Sequence, residues 1–164
     1  MGAVMSKTVF AGALLSVAVL LGPPAALARD VACQPTTEKH VAALFDRWNA
    51  ALGTKNPDKV VATYAPDATL LPTVKNGPLI GPGPIRGYFV HFLEQSPQGK
   101  INQRVIHIAC NIAYDIGQYS FTLHDPHTNQ ATDVQARYTF VYAPVHGAWL
   151  IVHHHSSADP EAEK

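Results

Sequence analysis

Three consecutive histidines, His153, His154 and His155, lie in a run of strand-forming residues near the end of the sequence. Side chains alternate between the two faces of a β-strand, so the pattern places His153 and His155 on one face with Trp149 and Ile151. His154 is then expected on the opposite face. Two imidazoles on one face could share a metal ion or an anion, line a ligand pocket, or pack at a subunit interface. We predict that His153 and His155 are ligand-binding residues, and we predict no metal site and no cofactor.

Arg137 is the second candidate, because it is the one charged residue in the strand-like run 134–142. An arginine in a central strand is costly to desolvate and usually needs a carboxylate partner. That carboxylate could belong to a bound ligand, with Arg137 at the floor of a cavity, or to a structural acid such as Asp46 or Asp115. Arg104 could play the same role on its own strand, although an exposed position is the favoured interpretation for it.

Aromatic side chains supply the remaining candidate contacts. Tyr119 and Tyr64 offer hydroxyl groups at expected pocket positions. Trp48 is a helical aromatic residue, which favours the core over the wall of a cavity, but we retain it as a ligand-binding candidate.

The elements that must position these residues change type along the chain. Apolar residues spaced three and four apart predict a helix over 36–52, a shorter helix over 57–64 and a third helix over 84–94. After Lys100 the period changes to two, which predicts four strands joined by short turns, at 101–112, 114–124, 133–142 and 148–156. Helices followed by an antiparallel meander indicate an α+β fold, with the helices on one face of a bent sheet.

The first 28 residues have the pattern of a secretory signal peptide. Lys7 provides a positive charge, an uncharged apolar run follows, and Ala26-Leu27-Ala28 is a small-x-small cleavage site. Export places Cys33 and Cys110 in an oxidising compartment, where a disulfide is favoured over two free buried thiols. We therefore predict a secreted or periplasmic protein whose N-terminal arm, residues 29–35, is tied to a later strand.

Composition and motifs narrow the classes of function. Hydrophobic residues make up 47% and charged residues 15% of the 164 residues, which suits a folded core. Twelve basic residues balance twelve acidic residues, which argues against a nucleic-acid binder or a polybasic membrane-surface protein. The sequence has no P-loop, no G-x-S-x-G, no H-E-x-x-H and no G-x-G-x-x-G motif.

Several motifs occur together in a recognisable order. They are the helix segment 45–52, the segment 64–68, the strand 137–142 and the terminal strand 147–157. Over residues 36–158 the chain resembles the association domain of calcium/calmodulin-dependent protein kinase II in a stand-alone bacterial form. That domain belongs to the SnoaL-like, nuclear transport factor 2-like superfamily. Residues 159–164 are then a tail.

The resemblance implies a cone, in which three helices pack on a strongly curved, mostly antiparallel sheet and enclose a pocket. In the kinase this domain assembles a ring from dimers, and its pocket carries arginines. Arg137 matches one of these arginines by its place in the strand, Tyr119 stands near the expected place of another, and His153 and His155 match histidines of the terminal strand. No kinase motif is present, so the resemblance implies no kinase activity.

Two classes of function follow from the resemblance. The first is a secreted module that forms a homodimer or larger ring and binds a small ligand, for which a carboxylate is the expected group. The second is an enzyme that uses the same pocket: an isomerase, a cyclase or an SgcJ/EcaC-type oxidoreductase, although no cofactor motif supports the last. Asp46 or a histidine would be its base, and Tyr119 or Tyr64 would donate to a carbonyl oxygen.

Overall fold

The computed structural model describes residues 32–160, and Gly2 apart from them. The predicted signal peptide and cleavage site, and most of the tail, lie outside the described residues. Three α-helices precede most of the sheet: α1 spans Glu38–Gly53, α2 spans Pro57–Val61 and α3 spans Pro82–Phe92, which continues into a 3-10 helix at Leu93–Gln95. Within residues 32–160, no helix is long and apolar enough to cross a membrane.

Local capping explains where the first two helices begin. The Thr37 side chain accepts a hydrogen bond from the His40 backbone N–H at the start of α1. The Asn56 side chain accepts from the Asp58 backbone N–H at the start of α2, and Pro57 occupies the first helical turn.

Six strands form one sheet in the order β2-β1-β6-β5-β4-β3. Among the strands of residues 32–160, β1 and β6 pair in parallel, and the other four pairings are antiparallel. The predicted mostly antiparallel α+β fold is therefore confirmed. The strands are β1 Tyr64–Leu71, β2 Leu79–Ile80, β3 Gln98–Ala109, β4 Ile112–His124, β5 Ala131–Val145 and β6 Ala148–Ala158.

Two irregularities change which side chains face the helices. In β3 the register with β4 shifts between Ile101 and Gln103. In β6 the pairing with β5 passes from Ile151 to His153, which leaves Val152 as an extra residue. An extra residue of this kind reverses the inside–outside alternation beyond it.

The helices cover one face of the sheet, which we call the inner face. Trp48 of α1 is 1% exposed and lies edge-on to the rings of Phe121 and Phe140 on β4 and β5. Phe89 of α3 also packs edge-on against the Trp48 ring. Aromatic rings from helices and strands thus form the core between the two layers.

The N-terminal arm is bonded to the turn between β3 and β4. Cys33 and Cys110 form a disulfide, as the sequence predicts, although Cys110 lies in the turn rather than in a strand. Asn111 in the same turn accepts a hydrogen bond from the Gln34 backbone N–H and donates one to the Ala32 carbonyl oxygen.

The element boundaries predicted from the sequence differ most from the observed boundaries around Tyr64. The sequence predicts the end of a helix there, whereas Tyr64 begins β1. Its backbone lies beside Ile151 of β6 in the parallel pairing. That partner is distant in sequence, so the helical spacing of Val60, Val61 and Tyr64 could not reveal it.

Candidate functional site

A cavity of about 140 Å³ lies between the inner face of the sheet and the helices. Its walls are mostly apolar and aromatic, with a few polar side chains among them. The lining residues are Trp48, Leu70, Pro72, Thr73, Val74, Tyr88, Phe89, Phe92, Gln95, Tyr119, Phe121, Leu123, Val134, Ala136, His154 and Ser156. A cavity with apolar walls and a few convergent polar groups is the usual form of a small-molecule site.

His154 is the imidazole that lines this cavity. It is 3% exposed, its ring stacks on Phe140 with centroids 4.0 Å apart, and its Nδ1 lies 2.9 Å from the Tyr64 hydroxyl. Burial is the main cause that lowers the pKa of His154 to about 3, and the neighbouring imidazoles His153 and His155 lower it further. His154 is therefore neutral at physiological pH.

Three hydroxyl groups of the lining are linked to one another by hydrogen bonds. The Tyr119 hydroxyl donates a hydrogen bond to Ser156 Oγ at 2.6 Å, and Ser156 Oγ is also hydrogen-bonded to Thr73 Oγ1. Tyr119 is 1% and Ser156 6% exposed. Burial raises the pKa of Tyr119 well above its usual value, so its hydroxyl stays protonated. We call Thr73, Tyr119 and Ser156 the hydroxyl cluster.

A buried ion pair lies outside the residues that line the cavity. Asp115 is fully buried, with Oδ2 3.0 Å from Arg104 Nε, and its Oδ1 accepts a hydrogen bond from the Tyr138 hydroxyl at 2.8 Å. The Arg104 guanidinium also lies 5.4 Å from the centre of the Phe45 ring. Burial raises the pKa of Asp115, and the bonds from Tyr138 and Arg104 oppose that rise. The expectation that Arg104 is an exposed strand residue is therefore wrong.

Arg137 is not at the floor of the cavity. It is exposed on the opposite, outer face of the sheet, where Nη2 donates to the Ala158 carbonyl oxygen at 3.4 Å. It forms no ion pair with Asp46 or Asp115 either, because Asp46 is exposed on α1 and Asp115 pairs with Arg104. The even alternation of β5 puts Tyr138 inside, and the neighbouring Arg137 therefore points outward.

His153 and His155 lie on the outer face together, but not on the face of Trp149 and Ile151. The extra residue Val152 reverses the alternation, so the inner face carries Trp149, Ile151 and then His154. The predicted separation of faces is wrong beyond Val152 for this reason. Within residues 32–160, no group of three or more His, Cys, Asp or Glu side chains could hold a metal ion.

The structure brings some of the predicted ligand-binding residues together. Trp48 and Tyr119 line the cavity, and Tyr64 reaches it through its hydrogen bond to His154. His154, Ser156 and Thr73 are not among the residues that the sequence predicts to bind a ligand. No pattern within β6 alone could have selected His154, because Val152 is identified as an extra residue only by its missing partner in β5.

Comparisons with known proteins agree on the fold. The family model of the calcium/calmodulin-dependent protein kinase II association domain matches residues 37–160. A Xanthomonas campestris protein provisionally assigned as such an association domain is 50% identical, with a TM-score of 0.74 over 78% of this chain and 91% of that chain. No curated protein matches the chain.

More distant solved structures share the fold alone. A nuclear transport factor 2-like protein from Salmonella enterica serovar Typhimurium is 17% identical, with a TM-score of 0.68 over 76% of this chain and 92% of that one. A ketosteroid isomerase-like protein from Erwinia carotovora atroseptica is also 17% identical, with a TM-score of 0.61 over 73% and 95%. The family match and the 50% identical relative show that this chain belongs to the calcium/calmodulin-dependent protein kinase II association domain family.

Proposed function

We propose that this protein is an exported association module that assembles with copies of itself and holds a small molecule in its cavity. The cavity is the observation that carries the ligand-binding part. Protein interiors are close-packed and keep few spaces of this size, so an aromatic cavity with a few polar side chains in its lining is best explained by a ligand. Within the part of the chain that the structure describes, no aspartate or glutamate lines the cavity, so the enzyme alternative gains no carboxylate base from these residues.

Ligand binding is tested by a thermal-shift screen of small aromatic and alicyclic compounds. A compound that binds only the folded state raises the melting temperature by mass action. Leu123→Trp fills space among the lining residues and should abolish the shifts, whereas Leu150→Trp, a half-buried leucine outside the lining, should retain them. If no compound shifts the wild type, or if both variants behave alike, the cavity is not a binding site.

Self-assembly is supported by the family and by the outer face of the sheet. Val105 and Tyr114 are 51% and 38% exposed, and they lie beside Ile116 and Val141, which also face outward. The His107 ring contacts the Tyr114 ring on this face, with centroids 5.1 Å apart. Exposed apolar side chains grouped on one sheet face are typical of an association surface.

Light scattering after size exclusion tests this surface. We expect wild-type protein to elute as a dimer or a larger ring at micromolar concentration. Val105→Glu should shift it toward monomer, because a charge would be desolvated at the contact. Val90→Glu is the matched control, since Val90 is also exposed but lies on α3. A monomeric wild type would overturn the assembly proposal.

Export is supported by the signal-peptide pattern and by the Cys33–Cys110 disulfide, which persists in oxidising compartments. Mass spectrometry of the protein produced with its native leader should find a chain that begins at Arg29. Recovery of the uncleaved chain from the cytoplasm would contradict export.

A further inference from the structure

Among residues 32–160, no Asp, Glu, Lys or Arg lines the cavity. Its titratable groups, Tyr88, Tyr119 and His154, are all neutral near pH 7: burial raises the pKa of Tyr88 to about 12 and that of Tyr119 further, while the pKa of His154 is lowered to about 3. A charged ligand would lose its hydration without gaining a partner of opposite charge. The lining therefore disfavours the carboxylate that the sequence led us to expect.

The hydroxyl cluster leaves one hydrogen to donate. Its three hydroxyl groups carry three hydrogens, and the Tyr119–Ser156 and Ser156–Thr73 hydrogen bonds use two of them. Whichever direction the Ser156–Thr73 bond takes, the third hydrogen remains on Ser156 or Thr73, and both residues line the cavity. The other polar groups of the lining residues are the Tyr88 hydroxyl, the Gln95 amide and His154 Nε2, and Nε2 has no hydrogen-bond partner among residues 32–160.

The other walls match a single ring in size and shape. Phe92 and Phe121 meet edge-on with centroids 5.7 Å apart, and Trp48 meets Phe121 edge-on at 6.2 Å. A volume of about 140 Å³ is close to that of a cavity of about 150 Å³ that binds benzene. Aromatic walls favour edge-to-face and offset contacts with a ring.

We propose that the cavity binds an uncharged, one-ring carbonyl compound whose oxygen accepts a hydrogen bond from the hydroxyl cluster. This inference rests on the proposed ligand-binding function and names its ligand class. The ring occupies the aromatic walls, and the carbonyl oxygen takes the hydrogen that the cluster does not use internally. A hydrocarbon of the same shape would leave that donor without a partner, and a carboxylate would bring an uncompensated charge.

Calorimetric titration of the folded protein with three probes of similar size tests this inference. The probes are acetophenone, its hydrocarbon analogue α-methylstyrene, and benzoate. We expect acetophenone to bind and benzoate not to bind. Comparing the ketone-to-hydrocarbon affinity ratio between wild type and a variant cancels the difference in their transfer from water.

The variant removes the hydroxyl cluster through Thr73→Val, Ser156→Ala and Tyr119→Phe. One net hydrogen bond is worth about two- to tenfold in affinity, so the ratio should fall by that factor. The matched control makes the same three kinds of change on the outer face, Thr139→Val, Ser157→Ala and Tyr114→Phe, and should leave the ratio unchanged.

A second measurement uses only the wild type, in case the triple variant does not fold. The infrared carbonyl band of ¹³C=O acetophenone should lie at lower frequency in the complex than in a hydrocarbon solvent, because a donor weakens the C=O bond. A band at the hydrocarbon position would overturn the inference.

The outcomes separate the inference from the function on which it rests. Equal affinity ratios in wild type and triple variant, or tighter binding of benzoate, would overturn the carbonyl inference and leave ligand binding in place. Failure of all three probes to bind would overturn the carbonyl inference, while shifts from other compounds in the thermal screen would still support the cavity as a site.

Discussion

Tyr64 Oη lies 2.9 Å from His154 Nδ1, and the same oxygen accepts a hydrogen bond from Trp48 Nε1 at 3.1 Å. Because the indole can only donate, the Tyr64 hydroxyl hydrogen is free to bond to Nδ1. Nδ1 accepts that hydrogen when the imidazole carries its own hydrogen on Nε2, and Nδ1–H donates to the Tyr64 oxygen in the other tautomer. A helix, the first strand and the last strand thus meet at one neutral histidine beside the cavity.

His154 makes the folded state sensitive to acid. The unfolded chain binds a proton at this imidazole below about pH 6.5, whereas the folded chain does so only near pH 3. The contribution of His154 to stability is therefore fully present above pH 6.5 and is lost as the pH drops from 6.5 toward 3, at about 1.4 kcal/mol per pH unit. Chemical denaturation at pH 6.5 and pH 5 should reveal about 2 kcal/mol of this loss.

His154→Phe isolates that contribution, because phenylalanine can keep the stacking on Phe140 but cannot titrate. Between pH 6.5 and pH 5 the unfolding free energy of the variant should fall less steeply than that of the wild type. The difference in slope corresponds to about one fewer proton taken up on unfolding. Ser157→Ala, a change on the outer face at a side chain that does not titrate, should keep the wild-type slope. Identical slopes for wild type and His154→Phe would refute a neutral buried His154.

Asp115 and Arg104 should be strongly coupled. Asp115→Ala leaves the Arg104 guanidinium, whose side chain is 23% exposed, without its carboxylate, and we expect a loss of about 3 kcal/mol. Replacing both residues, Arg104→Met with Asp115→Leu, should cost less than the sum of the single changes. Urea denaturation of the double-mutant cycle measures this, and additive effects would show that the pair does not interact.

Gly117 is required by the irregular register of β3. A Cβ at this position would overlap the backbone carbonyl oxygen of Gln103, and backbone cannot move aside easily. Gly117→Ala should therefore destabilise the protein by about 2 kcal/mol. Gly87→Ala in α3 meets nothing within 4 Å and should be neutral or stabilise by up to about 1 kcal/mol. Thermal melts measure this: Gly117→Ala should lower the melting temperature, whereas Gly87→Ala should leave it unchanged or raise it.

Removal of the Cys33–Cys110 disulfide should cost about 4 kcal/mol, because the bond joins residues 77 positions apart and restricts the unfolded chain. Cys33→Ser with Cys110→Ser should match the reduced wild type in urea denaturation. Alkylation of unreduced protein should add no alkyl group by mass. Uptake of two groups before reduction would contradict the bond.

Arg137→Ala should leave the affinity of the cavity for acetophenone unchanged within twofold, because Arg137 is exposed on the outer face. Leu123→Trp serves as the positive control that removes binding. A large loss of affinity in Arg137→Ala would mean that Arg137 communicates with the cavity, for example through assembly of the outer faces.

The sequence predicted the order and type of most elements well. The three- and four-residue spacing of Val41, Leu44, Phe45, Trp48 and Leu52 corresponds to the buried side of α1. The even alternation at Ala136, Tyr138, Phe140 and Tyr142 corresponds to the inner face of β5. Both patterns are local, so each can be recognised from the residues of one helix or one strand alone.

The candidate site was predicted less well, because its residues depend on contacts between strands. Arg104 and Arg137 each occupy a strand of alternating side chains, and no local feature tells which strand presents its arginine to Asp115. Likewise, the sequence of β1 does not predict that Tyr64 lies beside β6 and forms a hydrogen bond with His154. These are partners distant in the chain.

The sequence by itself determined the α+β fold, the family and the two cysteines that pair. Periodicity, turn residues and recurring motifs each lie within a short stretch of the chain, so they can be recognised without knowing the tertiary contacts. Only the tertiary structure decided which histidine meets the cavity. Val152 has no partner in β5, and this one extra residue turns His154 inward and leaves His153 and His155 outside. A bulge arises from the fit between two strands, so the residues of one strand cannot specify it alone.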